Sequence, residues 1–355
     1  MEFVFIPNES PYLKLLEFMI QKKPAALATV VGTEGSTPQV AGASALFSRE
    51  GLVCGTIGGG FLEAETERLA RRAIHKGESR LRVFNLAEND FEEADGVCGG
   101  KLTVLIDARP ERNGRALREL AEAWRNRRAG VLATFIGQDR GVVRNLVRSW
   151  IPSRRKPGGH RPFTTPDFED RIRQVVALNK PLLISKGGQR LYLEPHLPPS
   201  RLIIAGAGHV GRAVARLGGF LGFDIIVVDD RPEFANTARF PDAGRLIVGD
   251  IAESLGALPV SSESYIVIVT RGHRHDEAAL RACIGRRAAY IGLIGSRHKI
   301  VLMKERFLKK EWATPDEWNR IRTPIGLPIG SKTVEEIAVS IAAELVLVRS
   351  LRKKA

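Results

Sequence analysis

The residues best suited to chemistry in this chain fall into four short stretches, and the most informative is Gly206-Ala207-Gly208-His209-Val210-Gly211. It follows an apolar run of strand composition, Arg201 to Ala205, and opens a helix with apolar residues at Val210, Val214, Leu217 and Leu221. A second strand, Ile225 to Val228, then closes on Asp229-Asp230. Strand, G-x-G-x-x-G, helix, strand and terminal acid is the order of a dinucleotide-binding unit. Gly206 permits the tight turn, Gly208 lets a pyrophosphate approach the backbone, and Gly211 lets the helix pack closely on the strand. The first N–H groups of the helix then face the anion, and His209 can donate to a phosphate or cap the turn. Asp229 stands where a ribose 2′-hydroxyl is held in NAD-dependent enzymes, so an NAD(P)-dependent oxidoreductase is one reading of this unit.

The second stretch, Thr270-Arg271-Gly272-His273-Arg274-His275-Asp276, follows a predicted strand at Tyr265 to Val269. Gly295-Ser296-Arg297 follows another at Tyr290 to Ile294. Ligands of open parallel sheets sit beyond the carboxyl ends of the strands, so Arg271, His273, Gly295 and Ser296 are expected around the same crevice as Gly206, Gly208, His209, Gly211 and Asp229. His273, His275 and Asp276 are candidates for proton transfer. Two histidines at i and i+2 need a further ligand from elsewhere, so no metal held by protein ligands is expected.

The third stretch is Gly55-Thr56-Ile57-Gly58-Gly59-Gly60-Phe61-Leu62-Glu63. Gly58, Gly59 and Gly60 before a helix can form an anion-holding concavity or lie flat against a planar ligand. Glu63 reads either as a functional acid or as a complement to the helix dipole. The fourth is Gly96-Val97-Cys98-Gly99-Gly100, where glycines on both sides imply an exposed backbone and a Cys98 thiolate could meet sulfur or metal chemistry. Cys54 and Cys283 look like packed positions instead.

The elements that must position these stretches divide into two domains, residues 1–197 and 198–355, with Pro195, Pro198 and Pro199 at the boundary. The second is a Rossmann-like, doubly wound parallel sheet. The first is a mixed α/β domain, with a helix at Pro11 to Gln21 and strands at Ala25 to Val31, Ala43 to Phe47 and Leu52 to Cys54. Gly32 to Pro38 reads as a loop, and a further helix runs to Lys76. Strands at Leu81 to Leu86 and Lys101 to Ile106, a helix at Gly114 to Arg127 and a strand at Val131 to Ile136 follow. Residues from Arg148 to Pro166, rich in Arg, Lys and Pro with no acid, read as an irregular basic crossing suited to clamping an anion or simply to solvent. A helix from Asp167 to Leu178 and strands at Leu182 to Ser185 and Arg190 to Glu194 complete the domain.

The chain has 54 Lys and Arg against 40 Asp and Glu, a net charge of +14, which would suit an anionic partner. The bases are scattered along helix faces, and with four Trp and four Tyr there are few aromatics to stack on bases, which argues against nucleic acid. Three widely spaced cysteines exclude a disulfide framework and fit a reduced, cytoplasmic setting. No apolar run is long enough to span a membrane, and the start of the chain lacks the basic region of a signal peptide.

Taken in order, Gly55-Thr56-Ile57-Gly58-Gly59-Gly60 with Leu62-Glu63, Cys98-Gly99-Gly100, Gly206-Ala207-Gly208-His209-Val210, Thr270-Arg271-Gly272-His273 with His275-Asp276, Ile294-Gly295-Ser296-Arg297 and Pro324-Ile325-Gly326-Leu327 resemble the XdhC/CoxI family. Its members are accessory factors for xanthine dehydrogenase and carbon monoxide dehydrogenase. The resemblance covers both domains and is weakest from Arg109 to Leu193. It implies a chaperone that binds the molybdenum cofactor, protects it while a cysteine desulfurase supplies its terminal sulfur, and delivers it to a molybdenum hydroxylase such as xanthine dehydrogenase. The cofactor is an anionic pterin with a phosphate and, in a cytosine dinucleotide form, a pyrophosphate. The expected placement puts it between the domains, with Gly58 to Gly60 and Cys98 near the pterin or metal and Gly206 to Gly211 at the phosphate end. A homodimer is compatible with the exposed glycine-rich faces.

Overall fold

The computed structural model describes residues 10–86, 99–153, 168–186 and 188–352. Cys98 and the basic residues Arg154, Arg155, Lys156, His160 and Arg161 lie outside the described residues. The chain divides into two compact units, one ending at Pro198 and the other beginning at Pro199.

The N-terminal unit runs α1 (Pro11–Ile20), β1 (Ala26–Glu34), β2 (Ser44–Phe47), β3 (Leu52–Gly55), α2 (Gly60–Lys76), β4 (Arg80–Asn85), β5 (Lys101–Asp107), α3 (Gly114–Arg125), β6 (Gly130–Asp139), β7 (Val142–Pro152), α4 (Phe168–Leu178), β8 (Leu182–Lys186) and β9 (Gln189–His196). Its described strands form one antiparallel sheet of nine in the order β3-β2-β1-β5-β4-β7-β6-β9-β8. A sheet this wide curls under its own twist. Gly32 of β1 comes to lie against Leu183 of β8, although five strands separate the two in the order. The period of two along β1 divides its side chains between two cores. Ala26, Ala28 and Val30 pack with Leu62, Ala70 and Ala73 of α2, while Leu27 packs with Tyr12 and Leu15 of α1 and Leu117 and Leu120 of α3.

Two expectations are corrected here. The strand expected to end at Val31 continues to Glu34, into the segment read as a loop. Arg148 to Pro152, read as the start of an irregular crossing, forms the end of β7. Arg148 is buried within that strand because its guanidinium pairs with the equally buried Asp107 of β5, and the Asn113 side chain accepts its backbone N–H at 2.8 Å. The buried charge is tolerable because it is paired and hydrogen-bonded.

The C-terminal unit runs β10 (Arg201–Ala205), α5 (His209–Phe220), β11 (Asp224–Asp229), β12 (Arg245–Val248), α6 (Ile251–Ala257), β13 (Ser264–Ile268), α7 (His273–Cys283), β14 (Tyr290–Leu293), α8 (Arg297–Lys309), α9 (Pro315–Asn319) and α10 (Val334–Arg352). All five strands are parallel, in the order β12-β11-β10-β13-β14. Both faces are covered, which is why the strands read as continuous apolar runs. Helices α5 and α10 close one face over Leu202, Ile204 and Val227; α6, α7 and α8 close the other over Ile203, Ile266 and Ile268. Strand order reverses between β10 and β13, and a doubly wound sheet binds its ligand there.

The Pro324–Leu327 segment is fastened to this frame by one buried acid. Glu344 of α10 accepts the Tyr290 hydroxyl at 2.5 Å and the Gly326 N–H at 2.8 Å. Gly326 has φ +94°, and a Cβ there would stand 2.3 Å from Ser340 Oγ, so the segment depends on glycine at this position. Replacing Glu344 with Ala leaves two donors unpaired, and the expected loss is roughly 1–3 kcal/mol in urea-induced unfolding. An unfolding midpoint unchanged from the natural chain would show that this anchor contributes nothing. Burial pushes the Cys283 thiol up to about 12. Its thiolate is therefore absent at neutral pH, and alkylation of Cys283 at pH 8 should await unfolding, as mass mapping of a timed iodoacetamide reaction would show.

Candidate functional site

The carboxyl ends of β10, β11, β13 and β14 lie at the strand-order reversal, where a doubly wound sheet takes its ligand. Gly206 leaves β10 with φ +115°, and a Cβ on it would meet the Val269 carbonyl oxygen, just past β13, at 2.4 Å. A Cβ on Gly211 would fall 1.9 Å from the Gly206 carbonyl oxygen. Both glycines are thus required by close backbone approach. Gly208 differs: it is the N-cap of α5 with an ordinary φ of −68°, no side chain caps the helix, and a Cβ on it would meet nothing within 4 Å. The open space lies above the first N–H groups of α5, where the helix dipole favours an anion. His209 is exposed at this turn.

Asp229, at the end of β11, is buried and fully engaged. Its Oδ2 accepts the Ala207 N–H at 2.7 Å and Arg231 Nη2 at 2.9 Å; its Oδ1 accepts the Arg231 N–H at 3.0 Å and Arg231 Nε at 2.8 Å. Burial by itself raises this carboxyl. The bonds from the Arg231 side chain and from the Ala207 and Arg231 backbones outweigh it, holding Asp229 below the ordinary carboxylate value. Arg271, after β13, donates to the neighbouring Asp230 at 2.7 Å.

After β13, His273 to Asp276 form the first turn of α7. Asp276 is buried beneath that turn. Its Oδ1 accepts the Thr270 hydroxyl at 2.6 Å and the Thr270 N–H at 3.2 Å, and its Oδ2 pairs with Lys299 of α8. The acid therefore fastens two of the crevice loops together. His273 is exposed and His275 partly so. No group of three His, Cys, Asp or Glu among the described residues is placed to hold a metal ion. Ser296 caps α8 by accepting the Lys299 N–H at 3.3 Å, with Gly295 just before it.

In the N-terminal unit, Gly58, Gly59 and Gly60 all have positive φ and lead into α2. Gly58 is closed in by Pro38 and Leu62, whereas Gly59 and Gly60 face open space. Glu63 reaches back to this loop: its Oε2 accepts the Thr56 hydroxyl at 2.7 Å and the Ile57 N–H at 3.2 Å. Its carboxylate thus holds the loop in shape as well as standing at the positive end of α2. Gly99 and Gly100 are described, with Gly100 against the Glu34 and Ser36 carbonyls. The same unit has an open cavity of about 580 Å³ whose polar lining includes Thr33, Glu34, Lys101, Thr103, Ser185 and Arg190.

Arg231, Arg239 and Lys299 are the crevice residues that sequence reasoning passed over. Arg231 lies two residues past the terminal acid and Lys299 one turn past Ser296, spacings that a reading confined to glycines and histidines does not weigh. The Asp229 clamp has a pH signature. A folded-state pKa below the unfolded value gives stability that is present above the ordinary carboxylate range and lost as pH falls through the lowered value. Asp229→Asn should therefore flatten the acid limb of melting temperature against pH from the ordinary carboxylate range downward; parallel limbs for the two chains would show the clamp to be inert.

Comparison with known proteins follows the same division of the chain. A model described as the XdhC Rossmann domain matches residues 202–345, and one described as the XdhC and CoxI family matches residues 20–85. A Bacillus subtilis protein described as a probable xanthine dehydrogenase subunit is 27% identical over 92% of this chain and 94% of its own length. The Escherichia coli molybdenum cofactor insertion chaperone PaoD is 22% identical over 94% of this chain and 86% of its own. Escherichia coli YqeB is 26% identical over 93% of this chain, but the match spans only 44% of that longer protein. A crystal structure of a Bacillus halodurans protein described as a xanthine dehydrogenase shares the fold, with a TM-score of 0.76 at 24% identity over 96% of both chains. With both models matched in order, one in each unit of the structure, the chain belongs to the XdhC/CoxI family.

Proposed function

We propose that this protein is a maturation factor that binds the molybdenum cofactor and passes it to a molybdenum hydroxylase of the xanthine dehydrogenase type. The observation that carries the reading is the contrast within the glycine turn. Gly206 and Gly211 are sterically committed, while Gly208 and the uncapped start of α5 face open space. Such a turn suits a phosphate or pyrophosphate. The names of PaoD and of the Bacillus subtilis relative support the choice of cargo.

In this reading the cofactor is cargo, and the chain's part is to hold it. The N–H groups at the start of α5 take the phosphate end, with His209 beside them. Arg271, Ser296 and Gly295 border the same crevice, and Asp276 with Lys299 keeps its loops in register. Gly59 and Gly60 offer bare backbone against which a flat pterin can lie. Protection of the cofactor during sulfuration, with a cysteine desulfurase as the sulfur donor and Cys98 as a candidate in that chemistry, belongs to the proposal, as does a cytoplasmic setting. No helix among the described residues is long and apolar enough to cross a membrane.

Gly208→Asp isolates the claim. The position has an ordinary φ and open space, so the variant should fold, yet it sets a carboxylate where the phosphate would lie. Co-expression with the cofactor-synthesis enzymes, followed by extraction and identification of bound pterin and molybdenum, should find both with the natural chain. The variant should carry at least about tenfold less, equivalent to about 1.4 kcal/mol of binding. Equal pterin in the two preparations, or none with the natural chain, would sink the reading.

A further inference from the structure

From the end of β11 we infer that the crevice discriminates among nucleotides, refusing a free ribose diol and accepting a phosphate in its place, with Arg231 and Arg239 as the specificity-determining residues. The inference rests on the crevice of the C-terminal unit being a phosphate-binding site, as proposed above, and goes further in naming which groups can and cannot extend from that phosphate.

The first part follows from acceptor capacity. An ionised carboxylate offers about four lone-pair sites. In Asp229 four donors already point at them: the N–H groups of Ala207 and Arg231, and Nε and Nη2 of Arg231. The residue is only 1% exposed. The acid that would hold a ribose diol in an NAD enzyme is here spent on the glycine turn and on its own neighbour. A diol brought to this corner finds no acceptor at Asp229 and loses its hydration, a net cost. NAD is disfavoured on this ground, and so is any dinucleotide form of the cofactor that presents its diol here.

The second part follows from charge. Asp229 is matched by Arg231, and Asp230 by Arg271. Arg239 has no acidic partner among the described residues. Its Nε is buried without a hydrogen-bond partner, and its Nη2 makes only a long bond, 3.4 Å, to the Ala207 carbonyl. Arg239 and Arg231 both lie over the ring of Phe234, at 4.9 Å and 3.9 Å from its centroid, so the ring holds two guanidinium groups beside the glycine turn. A planar cation with unfilled donors is suited to a phosphate monoester.

NADH and NADPH make a matched pair of probes, because they differ only in whether the adenosine ribose carries a 2′-hydroxyl or a 2′-phosphate. Titration of the full chain, followed by calorimetry and nicotinamide fluorescence, should show NADPH binding at least tenfold more tightly than NADH. Arg239→Gln should weaken NADPH by about tenfold and leave NADH unchanged. Arg231→Ala keeps both backbone N–H bonds to Asp229 but frees the side-chain acceptor sites, so it should raise NADH affinity while lowering that of NADPH. Melting curves check that each variant is folded. Equal affinities for the two nucleotides, no measurable binding of NADPH, or variants that shift both nucleotides in parallel would each overturn the inference. Gly208→Asp should abolish NADPH binding; retained binding would place the nucleotide outside this crevice and overturn it as well. The pterin content of co-expressed protein is read separately, so loss of selectivity here and loss of the cargo reading remain distinguishable.

Discussion

The Gly206 carbonyl oxygen approaches Gly211 so closely that even a methyl group would fall 1.9 Å from it, and the C-terminal unit is arranged around that approach. The contact forces α5 to start immediately beyond β10, so its first N–H groups emerge where strand order reverses. The same turn is held from two further sides. Val269 and Thr270 press on Gly206 from β13, and the Asp229 carboxylate takes the Ala207 N–H from β11. Three strands therefore meet on one turn, and the space above Gly208 is defined by what surrounds it.

Much of this was legible in the sequence. The parallel strands appear as short apolar runs because both of their faces are buried, and the glycine spacing between β10 and α5 is that of a turn built for close backbone approach. What escaped the sequence depends on partners distant along the chain. Nothing local to Arg148 reveals that it belongs in a strand, since its burial requires Asp107, 41 residues earlier. Likewise, the run from Thr270 to Asp276 looks like a polar loop until Asp276 is seen to turn inward toward Thr270 and Lys299. Asp229 was legible as a terminal acid, but its direction was not, because that depends on where the Arg231 side chain folds.

The excess of positive charge divides in a similar way. Some arginines sit in exposed pairs within a helix, such as Arg68 with Glu65 and Arg115 with Glu119, each worth little to stability. Arg231 and Arg239 are different because an aromatic ring gathers them at the end of a central strand. Charge matters for binding where the fold concentrates it, and the composition alone could not separate the two populations.

The residues that carry the family resemblance include both fasteners and open backbone, beside exposed side chains such as His209 and His273. Glu63 holds the Thr56–Ile57 turn, Asp276 joins Thr270 to Lys299, and Gly326 sits against Glu344 and Ser340. In each case the charged side chain is spent on holding a loop. Gly59, Gly60, Gly208 and Gly272 face empty space instead, so much of what these loops offer to a ligand is peptide backbone. Backbone N–H groups bind anions and tolerate flat surfaces, but they neither gain nor lose a proton near neutral pH. A surface of that kind suits retention and release of a phosphorylated cargo, the role proposed above. Acids turned inward to shape the loops, and backbone left facing outward, fit the carrier role proposed for this dinucleotide fold.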